Sequence, residues 1–105
     1  MGRTAWIALT AALLASPAAA QTLSPQRPTP VVVELFTAQG CAECAQADAW
    51  AAQAADRRDL IVLSYPVDYW DYLGWKDAYA LPAFAARQRA YKQQLGWKDV
   101  YTPQI

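Results

Sequence analysis

Apolar and polar positions along the chain fall into blocks of differing period, and the blocks predict a strand, a helix and a second strand in succession. Val31-Val32-Val33-Glu34-Leu35-Phe36-Thr37 is β-branched, aromatic and almost wholly apolar, the pattern of a strand covered on both faces, with Glu34 its exception. Ala38-Gln39-Gly40 breaks the run. From Cys41 to Ala55 the chain is rich in alanine, a strong helix former, and helical spacing sets Ala47, Ala51, Ala54 and Ala55 on one stripe beside Cys44. Asp56-Arg57-Arg58-Asp59 makes a charged, solvated turn, and Leu60-Ile61-Val62-Leu63-Ser64-Tyr65 reads as a second buried strand. Because a helix joins the two strands, they are expected to run parallel in a right-handed βαβ unit.

The pattern loses its period from Val67 to Tyr79, where Tyr69, Trp70, Tyr72, Trp75 and Tyr79 alternate with Asp68, Asp71, Lys76 and Asp77 around Gly74. Such a cluster is either core or a protein-binding lip. Period 3.6 returns from Pro82, a residue tolerated in a first helical turn, to Leu95, with Phe84, Gln88, Tyr91 and Leu95 on one face and Gly96 as the stop. Leu81 is a poor cap, so another group must satisfy that helix start. Val100–Ile105 leads into a third strand.

The first thirty residues carry a different signal. Arg3, an apolar run from Ala5 to Ala15 and the small residues Ser16-Pro17-Ala18-Ala19-Ala20 form an export signal with cleavage expected after Ala20. The run is shorter than the roughly 18 to 20 residues that cross a bilayer, so the mature protein is expected in the periplasm or outside the cell, with no membrane insertion. Pro25, Pro28 and Pro30 mark residues 21–30 as an extended linker ahead of one small domain over residues 31–105. Of nine basic residues, loss of Arg3 leaves eight against nine acidic ones, which excludes a basic field for nucleic acid or lipid headgroups.

The chain has no histidine, hence no Ser-His or Cys-His nucleophile pair and none of the commonest metal ligand, and its two cysteines are the obvious chemistry. Cys41 and Cys44, three positions apart at a helix start, lie on one face at disulfide distance. Cys41 meets the positive end of the helix, which favours its thiolate and makes it the nucleophile; Cys44, one turn inside, is the resolving thiol. The negative Glu43 between them opposes thiolate formation and leans the pair toward a reductase. Glu34 either carries protons to and from Cys44 or sits at an edge facing water. A permanently closed disulfide and a copper-thiolate site are the alternatives, though no third ligand is in sight. Only about 5 to 6 per cent of X-Pro bonds are cis, so the pattern alone does not make Pro103 a cis proline.

Three stretches, Val33-Glu34-Leu35-Phe36-Thr37-Ala38-Gln39-Gly40-Cys41-Ala42-Glu43-Cys44, Val67-Asp68-Tyr69-Trp70-Asp71-Tyr72-Leu73-Gly74-Trp75-Lys76-Asp77 and Tyr101-Thr102-Pro103-Gln104, together resemble domain of unknown function family 1223, secreted bacterial proteins. The resemblance, running from about Val31 onward, implies an α/β thioredoxin-like fold in which Cys41 and Cys44 are the C-x-x-C pair and Pro103 is a cis proline facing the disulfide. Members usually carry two prolines after the second cysteine, where this chain has Ala45-Gln46, and continue past the Thr-Pro motif with further strands and a closing helix. The fold is therefore expected to be incomplete at the C-terminus. The expected function is thiol–disulfide exchange with protein thiols or disulfides, with no cofactor and with electrons from an unidentified donor. The competing expectation is a non-enzymatic binding module whose aromatic segment is the working surface.

Overall fold

A computed structural model describes residues 24–105, together with positions 1, 2 and 18; the export signal and its cleavage point lie outside these residues apart from those positions. The architecture is mixed α/β. Strand β1 (Val31–Thr37), helix α1 (Cys44–Ala54) and strand β2 (Leu60–Pro66) are followed by a single 3₁₀ turn at Asp71–Leu73 and by helix α2 (Pro82–Leu95). β1 and β2 pair in parallel, Val31 opposite Leu60 through Thr37 opposite Pro66, as a helical crossover requires.

The other edge of β1 is met at one point. Phe36 exchanges both backbone hydrogen bonds with Gln104, at 2.8 and 3.1 Å, whereas the Thr37 carbonyl turns the opposite way to accept from Val67 N–H at 2.8 Å. β1 is thus central, between β2 and the antiparallel bridge at Gln104. The third strand expected over Val100–Ile105 reduces to this bridge.

Alternation along β1 assigns a helix to each face of the sheet. Thr37 Oγ1 donates to Asp48 of α1 at 2.6 Å, whereas Glu34 and Phe36 face α2, Phe36 meeting Tyr91 edge-on at 6.2 Å. The strands are less covered than their apolar runs imply. Leu35, Phe36 and Thr37 are buried, but Val31, Val32, Ile61 and Leu63 are exposed; the last three share the face that α2 covers at Phe36 and Tyr65.

α2 has the expected bounds: Pro82 needs no partner in the first turn, and Gly96 adopts the left-handed conformation at φ 67° that a side chain disfavours. Leu81 makes no side-chain cap; its carbonyl accepts from Phe84 N–H at 2.9 Å. α1 differs from expectation at both ends. It begins at Cys44, three residues late, because Cys41 N–H is drawn back to the Ala38 carbonyl in a turn; at the far end Ala55 is an exposed cap off the stripe, on which Cys44, Ala51 and Ala54 are buried and Ala47 is half-buried.

Candidate functional site

Cys41 and Cys44 are joined by a disulfide with Cα atoms 5.4 Å apart, between the end of β1 and the first residue of α1. Cys44 N–H donates to the Cys41 carbonyl at 3.1 Å, closing a backbone turn over the same residues as the sulfur ring. Cys41 therefore precedes the helix rather than opening it. Both are buried, Cys44 with no exposed surface and Cys41 with 6%. They pack with Phe36, Ala38, Val67 and Ala85, and Tyr65, Tyr69, Trp70 and Tyr91 cover the cluster.

Two side chains hold the loop ahead of Cys41, and the sequence placed both in the aromatic segment without linking either to that loop. Asp77, almost fully buried, accepts from Gln39 N–H at 3.1 Å and from Tyr79 N–H at 2.9 Å, tying the end of the aromatic segment to the residue two before Cys41. Trp70 packs so closely on Gly40 that a Cβ there would lie 3.2 Å from the tryptophan Cβ and 3.3 Å from its carbonyl oxygen. Any larger residue at that position would have to push Trp70 back by a few tenths of an ångström. The aromatic segment is accordingly both things the sequence allowed: Tyr69 and Trp70 line the core around the disulfide, and Tyr72, Trp75 and Tyr79 are exposed.

The Thr102–Pro103 peptide bond is cis. This stretch is clamped from both sides. Trp70 Nε1–H donates to Thr102 Oγ1 at 2.7 Å. Gln88, fully buried, donates from Nε2 to the Tyr101 carbonyl at 2.8 Å and to Gln104 Oε1 at 2.7 Å, while its Oε1 accepts from Tyr69 O–H at 2.9 Å. Its helical spacing with Phe84 and Tyr91 hid a polar hub inside an apolar stripe. Among the described residues, no buried side-chain nitrogen or oxygen lacks a partner.

Glu34 stands apart from this arrangement. Its side chain is only 13% exposed, so it is not turned to water, and it pairs with Arg87 of α2 while accepting from Tyr65 O–H at 3.2 Å. The guanidinium lies 5.3 and 5.2 Å from the ring centres of Tyr65 and Tyr91. Burial pushes the Glu34 carboxyl up, but hydrogen bonds from Arg87 and Tyr91 and the Arg87 charge outweigh it and hold the group below its ordinary value. Its hydrogen bonds run to α2 and β2, none to a sulfur.

Among the described residues no group of three or more histidine, cysteine or carboxylate side chains stands close enough to hold a metal ion, and no helix is long and apolar enough to cross a membrane. Residues 32–105 match the family model described as Protein of unknown function (DUF1223). No curated protein matches the chain. Among solved structures it is similar to the crystal structure of protein AGR_C_4864 from Agrobacterium tumefaciens, with 48% identity over 75% of this chain and a TM-score of 0.70. The match spans 36% of that protein.

Proposed function

This chain belongs to the DUF1223 family, a name that assigns no activity, and we propose that it is an exported thiol–disulfide oxidoreductase acting on protein thiols through Cys41 and Cys44. The observation that carries the reading is the disulfide itself. It closes over a sequence separation of 3 between the end of a parallel strand and the start of a helix, with Cys44 fully enclosed and Cys41 keeping a little exposed surface. Such a ring opens and closes with little backbone movement.

In the reduced protein the Cys41 thiolate attacks one sulfur of a client disulfide; the Cys41–client bond forms, the client bond breaks, and the departing client thiolate takes a proton from water. Cys44, deprotonated, then attacks Cys41 Sγ, re-forming the Cys41–Cys44 bond and releasing the second client thiolate, which is protonated in turn. Two electrons and two protons pass to the client. A dithiol donor, itself oxidised to a disulfide, must return them.

Glu34, expected to carry protons to and from Cys44, is a poor base at neutral pH with its carboxyl held below its ordinary value by Arg87, and its bonds join β1 to α2 instead. Pro103 is assigned, through the family resemblance, to the wall beside the disulfide. The exposed Tyr72, Trp75 and Tyr79 favour a second reading, a binding module in which the disulfide is a fixed clip.

Trapping separates the two. Cys44→Ser is expected to accumulate mixed disulfides with periplasmic proteins, because the Cys41–client bond then has no internal thiol to release it; Cys41→Ser is expected to trap few or none. The complexes carry a chain that begins at Gln21 if the export signal is removed as its small residues suggest. Absence of trapping by both variants, with a wild-type pair that resists mild reductants, leaves the binding module.

A further inference from the structure

We propose that Trp70 is a positioning residue for disulfide exchange: it fixes the gap between the Cys41 loop and the Thr102–Pro103 stretch, and through that gap the rate at which a client disulfide reaches Cys41. The proposal rests on the oxidoreductase reading above. Trp70 touches both sides of the gap. Its Cβ and carbonyl press on Gly40, the residue before Cys41, so closely that a methyl group there would meet them at 3.2 and 3.3 Å. Its ring packs against the cluster that contains both cysteines. From the far edge of that ring, Nε1–H reaches Thr102 Oγ1 at 2.7 Å, and Thr102 is buried, so water does not substitute freely for the bond.

Trp70 thus bridges two segments that lie some sixty residues apart in the chain, through its Cβ and backbone carbonyl on one side and its indole nitrogen on the other. Cys41 is only 6% exposed, so a bulky partner meets it only where the surrounding segments leave room, and their positions decide how often sulfur meets sulfur in line. The indole makes no hydrogen bond to either sulfur. Its loss is therefore expected to alter encounter with a macromolecular disulfide and to leave the acidity of the Cys41 thiol alone.

The test compares two probes on the reduced full chain: a synthetic peptide disulfide, which must fit the gap, and iodoacetamide, which is small enough to ignore it. Trp70→Phe and Thr102→Val each remove the same bond. Both are expected to slow exchange with the peptide about three- to tenfold, and together no more than either alone, because they delete one shared interaction. The rate and pH profile of Cys41 alkylation are expected to stay as in the wild type. Thr102→Ser, which keeps the acceptor oxygen, and Trp50→Phe, an exposed tryptophan of α1, should both exchange at the wild-type rate. Wild-type exchange in Trp70→Phe and Thr102→Val overturns the proposal, as does an equal fall in alkylation, which marks general loosening of the site. Should Trp70→Phe fail to fold, the Thr102→Val and Thr102→Ser pair, which leaves the indole in place, decides. A wild-type chain that is alkylated at Cys41 yet never exchanges with the peptide disposes of the oxidoreductase reading itself.

Discussion

Glu34 and Asp77 are both carboxylates with little exposure, yet their surroundings give them different work. Asp77 accepts from two backbone N–H groups and faces no cation in its hydrogen bonds, so it acts as a local tie on the loop before Cys41. Glu34 joins β1 to α2 through Arg87, and its lowered carboxyl couples folding to pH. A carboxyl with a folded value below its unfolded one stabilises the fold above the unfolded value, and that contribution is lost as pH falls through the folded value. Glu34→Gln is therefore expected to cost about 1 kcal/mol at pH 7, allowing for a guanidinium that is half exposed. The gap between variant and wild type should close as pH drops below the unfolded value, near 4.5. Urea titrations at pH 7 and pH 3 measure it; a gap of equal size at both pH values refutes the electrostatic account. Sequence singled out Glu34 because a charge inside an apolar run stands out. Its partner was hidden, since Arg87 lies 53 positions away and charge pairing at that range leaves no local pattern.

At the scale of elements, legibility followed the strength of local signals. α2 was readable to the residue because Pro82 and Gly96 punctuate it at both ends through backbone constraints that act on their own neighbours. α1 lacked such marks at its start: no side chain caps it, and the turn that draws Cys41 back to Ala38 is made by backbone groups common to every residue. The parallel pairing of β1 and β2 followed from the crossover, whereas the exposure of their first halves depends on how far the helices reach, which periodicity does not report. Gln88 is the plainest miss, a polar side chain in an apolar register whose role is visible only once Tyr69, Tyr101 and Gln104 surround it. Gln88→Leu keeps roughly the size but strands one hydroxyl, one carbonyl and one amide oxygen, and is expected to destabilise by about 2 to 4 kcal/mol. A melting shift no larger than that of an exposed substitution on the same helix, such as Arg89→Ala, runs against this.

Across the whole molecule, cover is uneven: the C-terminal end of the sheet is enclosed around the disulfide, while Val31, Val32, Ile61 and Leu63 leave apolar strand surface open at the other. Residues 21–105 by themselves are expected to bind a dye specific for apolar surface and to unfold broadly; a sharp, cooperative melt without dye binding argues otherwise. The disulfide does little to offset this. A ring closed over a sequence separation of 3 withdraws about 2 kcal/mol of chain entropy from the unfolded state, against about 4.7 for a loop of a hundred residues. Thermodynamic linkage turns that small figure around: whatever the bond adds to folding, folding adds to the bond. Ring closure by itself thus lets the native fold lower the pair's reduction potential by about 40 mV relative to the unfolded chain. Glutathione titrations of the native and urea-unfolded chain should differ by more than that margin, because the fold also acts on the reduced pair through the charge around Cys41 and the burial of Cys44; a difference within it leaves chain entropy as the whole effect.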